Sequence, residues 1–551
     1  MKGTKVVLGI VIVVIIVAAV AGYYLLQPPG GKEEEKPPVE EEESLMIMGT
    51  TDSVESCLDP ARAYDFFGWE IIQSLGSGLV EYRPGATGAA EDIVPALATS
   101  WSVSEDGKVW TFNLRQGVKF DDGTEFNATH VKYTFDRGIS IADEDGPFVG
   151  IGYGDIIENV TVVSKYVVKF YLKIPFSAFL SLLACQASYI VDPKYAPFDT
   201  VVEYKEGDPR GSHPMGLGPY VLTKWVRVAG KDTEMRLEAN PNYWNATGGY
   251  PKTKTIIIKF YADSAGLALA IDAGEIDIAF RQLSATDINN LKTKTNLKVW
   301  EGTGAFIQYL VLQTKRPPFD NPKIRQAVAA AINRTAIIET VFLGQVQKLY
   351  SMIPIGMFSH KDAFLKLGDP NYTLTRELLG QLGYDENNKL TFKLWYETSG
   401  HYPQSPQLAQ MLKSSLEASG VISVTLEGRD WAAYRVSRRN EEMDAYVLGW
   451  YPDYIDPDDY IYPFLHSSGG SWIHHNYNNT QMDRLIEWAR GNTSQSVREN
   501  LYGQIQDLMV DDCPIIPIYQ GSAWAVTKQD VKGIYLDITQ SWRHWLVYRE
   551  K

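Results

Sequence analysis

The sequence predicts a mixed α/β protein with more than one lobe, and three observations carry that expectation. First, 551 residues of which 45% are apolar and 22% charged exceed what one hydrophobic core usually holds and can fill two. Second, "TFKLWYET" (391–398), "SPQLAQMLKSSLEASG" (405–420) and "VISVTLEG" (421–428) read in turn as strand, helix and strand. Gly420 stands where a helix needs a left-handed final turn. Third, strand-like and helix-like periods alternate along the chain without an internal repeat, which favours mixed layers over an all-α or all-β design.

The N-terminus comes first. Lys2 and Lys5 precede an apolar run, Val6 to Leu26, of about 20 residues, enough to span a bilayer as a helix. "AVA" at Ala19 to Ala21 resembles a signal-peptide cleavage site, so residues 1–26 are a membrane anchor or a signal segment. Either way the lysines stay inside and the rest of the chain is exported. Residues 27–44, "QPPGGKEEEKPPVEEEES", offer no apolar face and carry like charges, so a disordered, extended stalk is expected.

Beyond the stalk, "SEDGKVWTFNLRQGVKFDDGTEF" reads as strand ribbons turning at Asp106-Gly107 and Asp122-Gly123, with Trp110, Phe112 and Leu114 on one face. "FDNPKIRQAVAAAINRTAIIETVF" reads as helix. Asp320 or Asn321 caps it, Pro322 suits the first turn, and Ile324, Val328, Ala331 and Ile332 recur at helical spacing. Sequons at Asn127, Asn159, Asn245, Asn333, Asn371, Asn478 and Asn492 suit a glycosylated surface protein, with helix capping the competing role for Asn127 and Asn333.

Composition removes several functions. A net charge of -15 repels nucleic acid and anionic membrane surfaces. The 3 cysteines, Cys57, Cys185 and Cys513, allow at most one bridge. No GxSxG, HExxH, GxxxxGK or GxGxxG pattern occurs, and neither a cofactor nor a metal site is expected. His466, His474 and His475 lack Cys or Glu at ligand spacing and read as a solvent-facing loop. In "GWYPDYIDPDDY" (449–460) the acids Asp453, Asp456, Asp458 and Asp459 lack the glycine and distal Glu of a calcium hand. A glycosidase pair would need a second carboxylate across a cleft.

Longer blocks carry a resemblance. "LVEY…DIVPALATSWSVSEDGKVWTFNLRQGVKFDDGTEFNATHVKYTFDR", "GLGPYVLTKW…NPNYW" (216–244), "PPFDNPKIRQAVAAAINRTAII" (317–338) and "GWYPDYIDPDDY" with "YNNTQMDRLI" (477–486) follow one another in order. In this the chain, over about residues 45–545, resembles the extracytoplasmic solute-binding proteins of peptide-type ABC importers, the oligopeptide- and dipeptide-binding family. The resemblance implies an α/β, two-lobed clamshell of the type II periplasmic-binding-protein kind with an extra third domain. It implies a discontinuous first lobe (45–85, 206–300 and 508–551), an extra domain at 86–205, and a second, ligand-binding lobe at 301–507. Gln313 stands where an Asn is common, and His130 replaces an acid usual after the cap of the "NATHV" helix.

The resemblance also implies a function. A monomeric receptor, not an enzyme, captures peptide at the cell surface or in the periplasmic space and hands it to the transmembrane subunits of an ABC permease. The N-terminal helix holds it to the membrane. In peptide-binding relatives the Asp closing the GWxxD pattern takes the ligand's α-ammonium, and here that is Asp453. The backbone at Gly449 and Tyr451 would pair with an extended ligand as an added strand. Tyr64, Asp65, Phe66 and Phe67 fall on the facing segment of the first lobe. Trp450 and Trp431 would wall side-chain pockets, with Arg438 as a pocket cation. Val447 occupies the position of a base that holds the peptide C-terminus in some relatives, which leaves ligand length open and leaves room for oligosaccharides. An exported hydrolase is a third, distant reading.

Overall fold

The computed structural model describes residues 44–550 apart from Gly400. The anchor and stalk expected at 1–26 and 27–44 therefore lie, except for Ser44, outside the described residues. Among those described, no helix is long and apolar enough to cross a membrane.

A single 11-stranded sheet organises the chain. Its strands are β1 (Leu45–Thr50), β2 (Tyr220–Val228), β3 (Lys231–Ala239), β4 (Thr255–Phe260), β5 (Ile278–Phe280), β6 (Leu297–Leu312), β7 (Val346–Lys348), β8 (Leu390–Glu397), β9 (Ile422–Arg429), β10 (Ala445–Trp450) and β11 (Ile515–Lys528). They run in the order β9-β8-β10-β6-β11-β5-β1-β4-β3-β2, with β7 added to β11. The expected βαβ unit is present: β8 and β9 pair in parallel, from Leu390–Ile422 to Glu397–Arg429, across the helix Ser405–Glu417. Gly420 takes its left-handed turn at φ 81°.

Two large apolar cores and a smaller third one, built on Leu267, Ile271, Leu291, Leu297 and Val526, fill the described chain. One large core gathers Met46, Ile72, Trp110, Phe135, Leu183, Leu222 and Ile258. It includes a separate four-stranded sheet whose strand Val109–Leu114 buries Trp110, Phe112 and Leu114 as the alternation predicts. The other large core gathers residues from Ala305 through Tyr519. Within residues 508–519, Met509, Cys513, Ile515, Ile516, Ile518 and Tyr519 are buried in this second core. The reason is that β11 pairs along nearly the whole of β6, Val311 with Ile515 at one end and Leu297 with Lys528 at the other. The two strands pass together from one core to the other.

Where they pass, the ladder breaks between Thr303 and Ile307, and glycines from both strands meet. A Cβ on Gly304 would run into the carbonyl oxygen of Gly521, a backbone atom that cannot swing aside. Gly304→Ala should therefore destabilise the fold by about 1–3 kcal/mol, as overpacking does. The check is a lower denaturant midpoint at unchanged m-value; an unshifted midpoint would mean that the crossing has slack.

Local details follow the sequence with a few corrections. Asn321 rather than Asp320 caps the helix Pro322–Ala330, accepting from the Lys323 amide at 3.0 Å. The long helix expected there breaks after Ala331 and restarts at Asn333, which caps the next turn by accepting from the Ala336 amide at 2.9 Å. Asn127 caps Ala128–Ile141, and His130 closes the capping box by accepting from the Asn127 amide at 3.2 Å. The imidazole thus does the work of the usual acid. All 3 cysteines are buried and free. Two of the three histidines do not face solvent: His466 and His475 are 8% and 1% exposed, and burial lowers the His475 pKa to about 3, while His474 is half-buried.

Candidate functional site

The hook at 449–460 forms because β10 meets Pro452, which has no amide to continue a ladder, and because Asp456 starts a helix, Pro457–Leu465, by accepting from the Asp458 amide at 2.9 Å. Three of its acids hold its shape. Asp456 pairs with Arg498. Asp458 pairs with Arg490 at 3.0 Å and accepts from the Tyr454 hydroxyl at 2.8 Å. Asp459 reaches back to accept from Trp450 Nε1 at 3.1 Å and from the Asp453 amide at 3.0 Å.

Asp453 is the acid left to face the opposite side. Its Oδ2 accepts from the Tyr64 hydroxyl at 2.9 Å, and among the described residues no positive side chain pairs with it. Burial pushes its pKa up to about 7, with the Tyr64 bond pulling the other way. Asp459 behind it is also raised well above the carboxylate range, first by burial and then by the Asp453 charge. The two carboxyls resist being ionised together, so the first proton belongs to the pair.

The facing segment divides by role. Phe66 packs against Tyr451, the rings tilted by 55° with centroids 4.8 Å apart. Asp65 caps the helix Phe66–Leu75, accepting from the Gly68 amide at 2.6 Å, and burial raises its pKa to about 7. Phe67 is 2% exposed and packs edge-on to Phe260 within the first core. A further bond, from the Tyr82 hydroxyl to the Ile455 carbonyl at 3.1 Å, joins the same two sides.

Two cavities flank this contact. A small one of about 30 Å³ lies beside Asp453, against Phe66, Trp69, Gln186 and Ser541. A large one of about 390 Å³ opens past Tyr451, with Phe306, Phe342, Tyr519 and Trp524 in its wall. Trp450 packs on Trp472 and Phe464 at 5.3 and 5.2 Å. Trp431 stands behind His401, stacked on it at 3.8 Å, and it is His401 that reaches the large cavity. Arg438 lies over Trp472 at 5.2 Å, its Nε buried without a hydrogen bond. The Gly449 carbonyl accepts from the Tyr402 hydroxyl at 3.3 Å. A Cβ on Gly449 would come within 2.6 Å of Phe306 and 2.9 Å of Tyr402, so aromatic rings close over the strand here. Val447 is buried, its carbonyl taken by the Tyr434 hydroxyl at 2.7 Å.

Sequence reasoning missed the floor of the large cavity. Arg281 and Gln282 follow β5 with φ of 74° and 61°, left-handed values that cost energy in residues other than glycine and gather at functional sites. Arg281 pairs with Asp52 at 3.1 Å and Glu70 at 2.8 Å, and lies 5.3 Å from the Phe66 ring. These residues sit in loops, where no periodicity marks them.

The geometry is that of a cleft with a solute-sized chamber. Residues 92–472 match the pattern of the bacterial extracellular solute-binding proteins, family 5 (middle region). The chain belongs to that family. Within it, the dipeptide-binding protein of Pseudomonas aeruginosa is 28% identical over 479 residues, 84% of this chain and 86% of its own length. Heme-binding protein A of Haemophilus influenzae is 28% identical over 482 residues, 84% of each chain. Among solved structures, the periplasmic binding protein DppA from Helicobacter pylori in complex with the peptide STSA superposes with a TM-score of 0.74 at 26% identity, covering 93% of this chain and 100% of that one. HbpA2 from Haemophilus parasuis gives 0.76 at 22% identity over 92% and 100%, a likeness of fold. The family is one of binding proteins, and the mixed α/β, multidomain fold is theirs.

Proposed function

We propose that the protein is the extracytoplasmic receptor of an ABC importer and captures peptides by their free α-ammonium at Asp453. One observation carries this reading: a carboxylate buried in the cleft, with its pKa raised to about 7 and, among the described residues, no cation beside it. A buried charge is expected to be paired, and a ligand ammonium would supply the missing partner and restore the ionised form. The relatives named for dipeptides point the same way. In this reading Tyr64 steadies the carboxylate from the other lobe, and Phe66, Tyr451 and Trp450 shape the surroundings. Trp431 and Arg438 act from behind the chamber wall.

The aromatic chamber also suits stacking on sugar rings, which keeps an oligosaccharide receptor as the second reading. A sugar, however, leaves the Asp453 charge unpaired. A hydrolase is disfavoured because the second carboxyl beside Asp453, that of Asp459, is engaged by Trp450 Nε1 and the Asp453 amide, and across the cleft Asp453 meets the Tyr64 hydroxyl instead of a second acid. The remaining parts of the reading are a monomer at the cell surface or in the periplasm, tethered through the N-terminal apolar run, glycosylated at some sequons, and docking to permease subunits. Titration calorimetry with short peptides and with cello-oligosaccharides tests it. Heat is expected from peptides; saturable heat from the sugars alone would overturn it.

A further inference from the structure

The two cavities are unequal in a way that would sort peptides, if peptides are the ligand as proposed above. The small cavity holds about 30 Å³, and a water needs about 10–15 Å³ of such space. It therefore admits the ammonium and a hydrogen or methyl, not a large side chain. The large cavity holds about 390 Å³, well beyond the roughly 150 Å³ that accepts a benzene ring in an apolar protein interior.

The two adjoin. Ser541 lines both, and the Phe66 and Tyr451 rings, one lining each, stand 4.8 Å apart at the boundary. One residue of extended chain rises about 3.3–3.6 Å, comparable to the 4.8 Å between the two boundary rings, so a ligand held by its amine at Asp453 and crossing that boundary would bring its second residue to the large cavity.

The wall of that chamber is aromatic and carries no free charge. Phe306, Phe342, Tyr451, Tyr519 and Trp524 supply rings, and Gln345 and Gln404 neutral amides. Its one fixed cation, Arg281, is already matched by Asp52 and Glu70. His401 is kept neutral at physiological pH, its pKa lowered chiefly by burial. A charged side chain entering here would lose its water and find no counter-ion, whereas a ring would find offset and edge-on partners.

We infer that the cleft selects peptides with a small first residue and a bulky apolar or aromatic second residue. The test is calorimetric titration with Ala-Phe-Ala, Phe-Ala-Ala, Ala-Lys-Ala and Ala-Ala-Ala, all with free amines. Ala-Phe-Ala should bind at least about tenfold more tightly than each of the others. Tyr451→Ala should shrink the preference for Ala-Phe-Ala over Ala-Ala-Ala by about tenfold. If Phe-Ala-Ala or Ala-Lys-Ala binds as tightly as Ala-Phe-Ala, the selectivity is refuted while amine capture stands. An unchanged preference in Tyr451→Ala would refute the chamber assignment. If no peptide binds, the peptide reading fails and this inference with it.

Discussion

Asp453→Asn should weaken peptide binding by tens to thousands of fold. The substitution keeps the shape of the side chain and leaves a buried ligand cation facing a neutral acceptor. Removing one partner of a desolvated charged pair costs about 2–5 kcal/mol. Acetylating the peptide's N-terminus should cost wild type a similar amount and the variant little more, because both changes delete one interaction. A sugar would lose about 1 kcal/mol, the worth of a neutral hydrogen bond, and has no amine to acetylate. Calorimetry on the four combinations measures the coupling. Additive losses would refute the pairing of Asp453 with the amine.

The second large effect is on pH. Without ligand, burial holds the Asp453 carboxyl near a pKa of about 7, against about 3.9 in the unfolded chain. The folded protein therefore binds more protons than the unfolded one between those values. The contribution of this group to stability is complete below the unfolded pKa and is lost as pH rises through about 7. Ligand binding has the opposite sign, since the ammonium needs the carboxylate. Affinity should peak at about pH 7–8, fall about 100-fold by about pH 5, where the free site is protonated, and fall again at higher pH as the free α-amine, with its pKa of about 7.7–8.0, loses its proton. Tyr64→Phe removes the hydrogen bond that lowers the Asp453 pKa, so the midpoint of the acid-side loss should move to higher pH. Asp453→Asn should raise the melting temperature of the ligand-free protein at neutral pH while removing the acid limb of the binding profile and leaving the limb set by the ligand amine. A pH-independent affinity in the wild type would contradict a raised pKa at Asp453.

How much of this was legible in the sequence depended on how local each feature is. The βαβ unit at 390–429, the caps at Asn127, Asn321 and Asn333, and the left-handed Gly420 follow from neighbouring residues, and each stands where the pattern put it. The hook was visible as a string of acids, but not that Asp456 and Asp458 are matched by Arg498 and Arg490. Those partners lie on later helices, and ion pairing across the chain has no signature in spacing. The same reason hid the chamber floor at Arg281 and Gln282 and the wall at Tyr519 and Trp524. Periodicity does not show that one strand, β11, contributes to more than one core, with Ile515 to Tyr519 in one and Ala525 and Val526 in others.

The central claim is that a ligand's amino group completes the buried charge at Asp453. A crystal structure of the protein with a bound free-amine peptide tests it most directly. The account predicts the peptide nitrogen within about 3 Å of the Asp453 carboxylate, the usual reach of a charge-assisted bond, with Tyr64 still at the same carboxylate and the second side chain in the aromatic chamber. A peptide whose amine lies in solvent, or is held by another acid while Asp453 stays bonded to Tyr64 alone, would contradict it.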